Sequence, residues 1–223
     1  MEREQQIIAQ IKDAALLPLF YHDEEKLCAE IIGSLYDAGI RCIEFTNRGE
    51  QALKNFRQLV KQRDANFKDL LLATGTIKTA DHAKQFIEAG ADFLISPFFD
   101  AGVCDEAYMQ KKFWIPGCMT PNEIHIAEQA GCTMIKLFPG NLLGPGFVEA
   151  ILPLFPDLDF VVTGGVDTTE QNIQSWFKAG AVGVGVGSKL ISKDVLQKKD
   201  FAALREKTKE VIAIIQKIKT AQK

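Results

Sequence analysis

Phe160-Val-Val-Thr-Gly-Gly165 and Val182-Gly-Val-Gly-Val-Gly187 are two short β-branched runs, and Thr169–Ala179 between them has the spacing of a helix that stops at Gly180. A strand–helix–strand unit of this kind is the element from which a parallel sheet is made. Working outward toward the N-terminus, six more runs repeat the pattern: Leu16–Phe20, Cys42–Thr46, Leu70–Gly75, Phe93–Pro97, Phe113–Gly117 and Met134–Pro139. That makes eight, with starts 20 to 28 residues apart, room for one strand, one helix and two short loops each. Helices are expected over Glu24–Ala38, Thr79–Ala89 and Pro121–Ala130, stopping at Gly39, Gly90 and Gly131, where a left-handed C-cap is wanted. Thr79 with Asp81, Thr120, and Thr168 with Glu170 supply N-terminal caps and first-turn acids.

The strand runs are apolar on both faces, as in a parallel sheet covered by helices. Eight β–α repeats predict an α/β fold closed as a (β/α)8 TIM-type barrel, a single domain over residues 1–223. Gln5–Ala14 reads as a helix before strand one that could plug the N-terminal mouth. Phe201–Lys219 reads as a closing amphipathic helix with apolar Phe201, Leu204, Val211, Ile214, Ile215 and Ile218. The alternative is an open doubly wound sheet, but no GxGxxG follows the first strand, which argues against dinucleotide binding.

Composition narrows the function. A chain of 223 residues with 47% hydrophobic and 25% charged residues is balanced like a soluble globular protein. Its net charge of −3 and lack of a basic stripe argue against nucleic acid. Five scattered cysteines with no CxxC fit neither a disulfide framework nor a zinc site. No apolar run approaches the roughly 20 residues of a membrane helix. The charged N-terminus is unlike a secretory signal, so the cytoplasm is the expected compartment.

Chemistry in such a barrel belongs at the C-terminal ends of the strands. With a period of two, Cys42, Glu44 and Thr46 share one face of strand two, and Met134, Lys136 and Phe138 share one face of strand six. A carboxylate and an ammonium inside apolar strands are costly unless paired or functional. One reading is a structural salt bridge, or charges reaching solvent at the strand ends. The other is a reactive lysine whose pKa is pulled below about 10.4, leaving a neutral amine to attack a carbonyl, with Glu44 moving protons. Arg48 is either a solvated loop residue or a clamp for a substrate carboxylate. Thr74 and Thr76 are either capping hydroxyls or ligands of that carboxylate.

Thr163-Gly164-Gly165 and Gly187-Ser188 end the last two strands, where glycine lets backbone N–H groups approach a phosphate. His22, His82 and His125 are far apart, with only His22 expected near the mouth, and no acidic or His cluster has metal-ligand spacing. Asp100 and Asp167 read as caps or turn residues, and nothing marks Cys118 as a nucleophile. Phe138 is core filling or a wall over a planar intermediate.

Taken in order, these segments resemble the 2-keto-3-deoxy-6-phosphogluconate (KDPG) / 4-hydroxy-2-oxoglutarate (KHG) aldolases, class I lyases that form a Schiff base with pyruvate. The resemblance rests on Gly39–Arg48 (GIRCIEFTNR), Ala73–Thr76, Ala89–Pro97, Ile115-Pro-Gly117, Ile135–Pro139, Thr163–Gly165 and Gly187-Ser188. It implies Lys136 as the Schiff-base lysine and Glu44 as the general acid/base. It implies Arg48 and Thr76 on the pyruvyl carboxylate, Phe138 beside the Schiff base, and Gly164, Gly165, Gly187 and Ser188 on the phosphate. Thr163 joins these as a substrate-binding residue. It further implies a homotrimer that needs neither metal nor organic cofactor. Four segments bordering the site depart from the family pattern. Asn47-Arg48-Gly49 stands for the more usual Leu-Arg-Thr, Phe98-Phe99-Asp100 for a smaller loop, Asn141 for a small-acidic pair, and Tyr21-His22-Asp23 is unusually polar.

The expected activity is cleavage of KDPG to pyruvate and glyceraldehyde 3-phosphate. The neighbouring activities are cleavage of the phosphogalactonate epimer or of 4-hydroxy-2-oxoglutarate. Two further readings are a phosphate-binding isomerase or synthase in which Lys136 is never covalent, and a non-catalytic binding barrel. Trapping of a three-carbon adduct on Lys136 by borohydride and pyruvate separates the aldolases from both.

Overall fold

The computed structural model describes residues 2–221. Helix α1 (Glu2–Ala14) leads into β1 (Leu16–Phe20), followed by α2 (Glu25–Asp37), β2 (Cys42–Thr46), α3 (Ala52–Asn66) and β3 (Leu71–Gly75). Next come α4 (Ala80–Glu88), β4 (Leu94–Ile95), α5 (Ala101–Met109), β5 (Trp114–Ile115), β6 (Gly117–Cys118), α6 (Pro121–Gln129) and β7 (Met134–Leu137). The last third holds the short α7 (Gly140–Leu143) and α8 (Pro145–Ile151), then β8 (Asp159–Thr163), α9 (Glu170–Lys178), β9 (Gly183–Val186), α10 (Lys193–Lys198) and α11 (Phe201–Ala221).

All strand pairs are parallel, in the order β5-β4-β3-β2-β1-β9-β8-β7-β6. The two ends of that order are separated in sequence by Pro116 alone, so they form one interrupted stave and the sheet closes as the expected eight-stave barrel. The single strand expected over Phe113–Gly117 is therefore two. Pro116 has no N–H to donate to a ladder, although its carbonyl still accepts from the Lys136 N–H at 2.9 Å. Gly117 lies so close to the end of β4 that a Cβ on it would fall 2.8 Å from the Phe98 nitrogen.

The helix ends follow local chemistry. Gly39, Gly90, Gly131 and Gly180 all have φ between +84° and +107°, the left-handed stop their positions require. Thr79 caps α4, and Thr120 forms a reciprocal capping box with Glu123 on α6. Asp100 caps α5 by accepting from the Val103 N–H. At α9 the cap is Thr169, not Thr168. The Asp167 carboxylate accepts from both the backbone and the hydroxyl of Thr169, which sets the helix start one residue later.

Period-two alternation sorts the strand residues into two packed layers. Ile43, Phe45, Leu72, Ile135, Val162 and Val184 face outward against the helices. Leu17, Cys42, Leu71, Phe93, Met134 and Val161 fill the lower barrel interior together with Ile7 and Ile11 of α1. The first helix thus plugs the N-terminal mouth as its sequence predicts. Burying those two isoleucines stabilises by roughly 3–6 kcal/mol relative to leaving them in water. Helix α11 buries Leu204, Val211, Ile215 and Ile218 against α2 and α9, with Thr208 in the same stripe donating its hydroxyl to the Leu204 carbonyl at 2.7 Å. Among the described residues, no helix is long and apolar enough to cross a membrane.

Candidate active site

Above the apolar filling, the inner faces turn polar. On β2 the inward series is Cys42, Glu44 and Thr46, and on β7 it is Met134 and Lys136, so a single two-residue step passes from the hydrophobic layer to a charge. Parallel pairing sets Glu44 level with Leu19 and Ala73, and Lys136 level with Gly117 and Val161. The two side chains meet inside the ring, Lys136 Nζ lying 3.5 Å from Glu44 Oε1. Lys136 is 6% exposed and Glu44 1%. The second carboxylate oxygen, Oε2, is buried and has no hydrogen-bond partner among the described residues. The ammonium position also sits 5.3 Å from the centre of the half-buried Phe138 ring.

Two glycines make room for this layer. A Cβ on Gly75 would come within 2.7 Å of three atoms of the Glu44 carboxylate arm, so only glycine leaves the carboxylate where it is. A Cβ on Gly185 would run into the Thr163 hydroxyl and sit 3.2 Å from Leu19 Cδ2. In the Val-Gly repeat of β9, Val184 and Val186 cover the outer layer. Glycine on the alternate face clears space for the buried Thr163. Thr46, at the top of β2, donates its hydroxyl to the Phe20 carbonyl at 3.3 Å and braces β2 against β1.

The other expected residues spread around the rim. Arg48 is exposed just past β2 and takes part in none of the ion pairs among the described residues. Thr76, half-buried after β3, holds φ at +60°, unusual for a β-branched residue. Thr74, weighed beside it as a ligand, belongs to the outer face and is fully buried there, which removes it from the mouth. Gly164 and Gly165 have φ of +91° and +75°. Their lack of side chains lets the loop after β8 interlock with the loop after β7, since a Cβ on Gly165 would fall 2.7 Å from Asn141 Cα. Gly187 is half-buried, and Ser188 is exposed in the turn that closes with Leu190 and Ile191 donating to the Gly187 carbonyl at 2.9 Å.

His22 is a turn residue: its Nδ1 accepts from the Glu24 N–H at 3.0 Å. Burial pushes the Cys118 thiol up to about 12, with Glu123 adding to the effect, so this thiol stays protonated at neutral pH. Among the described residues, no three His, Cys, Asp or Glu side chains gather as a metal site. Sequence reading did not find the packing roles of Gly75 and Gly185. Both depend on contacts between neighbouring staves that no local motif encodes.

The sequence profile of the family described as KDPG and KHG aldolase matches residues 7–207. The chain belongs to this aldolase family. Among relatives of the aldolase, a 2-dehydro-3-deoxy-6-phosphogalactonate aldolase of Escherichia coli (strain K12) is 28% identical over 71% of this chain and 76% of its own length. A 2-dehydro-3-deoxy-phosphogluconate aldolase of Haemophilus influenzae is 27% identical over 95% of this chain and 97% of its own. The crystal structure of a 4-hydroxy-2-oxoglutarate/2-dehydro-3-deoxyphosphogluconate aldolase from TTHB1 is 28% identical with a TM-score of 0.80, covering 96% of this aldolase and 98% of that chain. A KDPG aldolase of Legionella pneumophila shares the fold at 24% identity, with a TM-score of 0.84 over 91% of this chain and 96% of that one.

Proposed function

We propose that this aldolase cleaves 2-keto-3-deoxy-6-phosphogluconate to pyruvate and glyceraldehyde 3-phosphate through a Schiff base on Lys136. The observation that carries the reading is the Lys136 amine, buried at the top of an apolar barrel filling and 3.5 Å from a glutamate that keeps a second, unpartnered oxygen. A pair kept only for stability has little reason to exist there, because apolar side chains of similar volume are often as stable as a buried ion pair.

The steps follow from that placement. The unprotonated Lys136 nitrogen bonds to the C2 carbonyl, and Glu44 carries the proton needed for the carbinolamine to lose water. In the protonated imine that results, the C4 hydroxyl gives up its proton, the C3–C4 bond breaks, and its electron pair moves toward the imine nitrogen to form an enamine. Glyceraldehyde 3-phosphate departs, the enamine takes a proton at C3, and water releases pyruvate from Lys136. The nitrogen cation is the electron sink, stabilising charge that develops only as the bond breaks. Phe138 flanks the flat intermediate. Arg48 and Thr76 hold the carboxylate of the keto acid, and Thr163 joins them in binding the substrate. The phosphate lies against Gly164, Gly165, Gly187 and Ser188, so that binding distant from the reacting bond positions the chain.

The reaction needs no metal or organic cofactor, and we place the enzyme in the cytoplasm as a homotrimer. Phe98 and Met119, exposed after β4 and β6, and Leu142, exposed on α7, are apolar surface that such an assembly would cover. Borohydride added with pyruvate is expected to leave a reduced three-carbon adduct on the Lys136 peptide. An unmodified peptide in an active enzyme sinks the proposal and favours a non-covalent isomerase or synthase. The phosphogalactonate epimer is the competing substrate, because the E. coli and H. influenzae relatives carry the two names at nearly equal identity. Comparing kcat/KM for the two epimers and for 4-hydroxy-2-oxoglutarate decides among them.

A further inference from the structure

We infer that Tyr21 is a positioning residue of this site, lying across Gly49 to fix the Asn47–Gly49 segment that carries Arg48. The inference rests on the reading of Arg48 as the carboxylate ligand. Its starting point is steric. A Cβ on Gly49 would approach the hydroxyl oxygen, Cζ and Cε1 of Tyr21 to 2.7 Å or less, so the phenol occupies the space that any side chain at 49 would need. Tyr21 and Gly49 are therefore a matched pair, one stave supplying the ring and the next the gap.

The phenol is held from two sides. Its hydroxyl donates to the Asp23 carboxylate. The ring packs on Phe45 with centroids 5.7 Å apart. Below, the buried Asn55 of α3 donates to the carbonyls of His22 at 3.0 Å and Asp23 at 2.8 Å, tying the loop after β1 to the same helix. Burial and the Asp23 bond push the Tyr21 pKa up to about 12, so the hydroxyl remains a donor through the neutral range. Between these fixed points Arg48 is held, among the described residues, by its backbone alone, donating to Thr46 at 2.9 Å, while Ala52 donates to Gly49 at 3.0 Å. The arginine side chain is long and exposed. Where its head lies depends on how firmly residues 47–49 are set.

The test is a double-mutant cycle read as kinetic constants. Tyr21→Phe keeps the ring and removes the hydroxyl. It is expected to raise KM for the keto-deoxy acid about tenfold with kcat within about twofold, since slight misplacement of a binding group weakens ground-state and transition-state binding together. The rate of borohydride trapping at saturating pyruvate stays the same. Gly49→Ala, which pushes the phenol away, should do the same. In an Arg48→Ala background Tyr21→Phe should change KM by less than about twofold, because its effect passes through the arginine. An equal rise in KM in both backgrounds, or an unchanged KM in the single variant while Arg48→Ala raises it, overturns the inference. A KM indifferent to Arg48→Ala instead overturns the carboxylate reading of Arg48, and the inference with it, while leaving the Lys136 adduct untouched.

Discussion

Cys42 and Glu44 stand two residues apart on the same inner face of β2, yet they sit in different surroundings. Around Cys42 the barrel is closed by Met134, Val161 and Phe93 and by the isoleucines of α1, and burial, with smaller pushes from the Asp92 and Glu44 carboxylates, raises the thiol pKa. One step up, Glu44 meets Lys136, with Gly75 leaving room beside it. The lower layer is what a core does for stability. The upper layer is what a core would avoid. The contrast teaches that the plug and the pair work together: a dry layer beneath the lysine and glutamate keeps water from screening them from one side, so each acts strongly on whatever charge forms between them.

The sharpest way to break the contrast is to make the upper layer resemble the lower. Lys136→Met is expected to cut kcat/KM by on the order of 10⁴-fold or more and to abolish borohydride trapping, because no other amine stands in its place. Alone it leaves the glutamate buried without its partner, a loss of about 3–5 kcal/mol. The double variant Lys136→Met, Glu44→Leu should regain that stability in urea unfolding while staying inactive. A double variant still destabilised by the full amount would mean that the pair is structural after all. The converse change attacks the plug. Ile11→Ala should cost about 2–5 kcal/mol by leaving a cavity under the barrel, with kcat/KM close to wild type wherever the protein remains folded.

Gly75→Ala tests the boundary itself. The new methyl would overlap the Glu44 carboxylate arm, which must swing away from Lys136. Activity is expected to fall about 10²-fold with a stability loss of only about 1–3 kcal/mol from overpacking. Equal loss in Gly75→Ala and in a substitution remote from Glu44 would remove the glutamate from the reaction.

How much of this could be read in the sequence depends on how local each cause is. The alternation in Cys42–Thr46 and Met134–Leu137 placed Glu44 and Lys136 on inner faces, because strand geometry leaves no other choice once the first position is set. The glycine stops at 39, 90, 131 and 180 were equally plain. Helix α3 escapes the sequence reading although Ala52, Phe56 and Leu59 have helical spacing, since its start carries no side-chain cap bond. The short α7 and α8, set among Gly140, Gly144, Pro145 and Gly146, have too few turns for a period to show. The break at Pro116 was visible as a proline. Its closeness to a glycine packed on the neighbouring stave was not. Thr168 and Thr169 are indistinguishable as caps until Asp167 binds the second.

The finest probe of the contrast is the thiol under the glutamate. Cys42 keeps its proton in the folded barrel well above the ordinary thiol value of 9.0, whereas in the unfolded chain it ionises near that value. The folded state therefore binds the extra proton once pH passes 9, and the stabilisation this thiol contributes is full below pH 9 and is lost as pH rises beyond it. Each such thiol lowers the unfolding free energy by about 1.4 kcal/mol per pH unit in that window. Cys42→Val keeps the layer apolar and removes the titration, so the fall in urea stability between pH 9 and 10.5 should flatten by about that slope. A slope identical in Cys42→Val and wild type would mean that water reaches the thiol, and the floor beneath Lys136 and Glu44 would then not be dry.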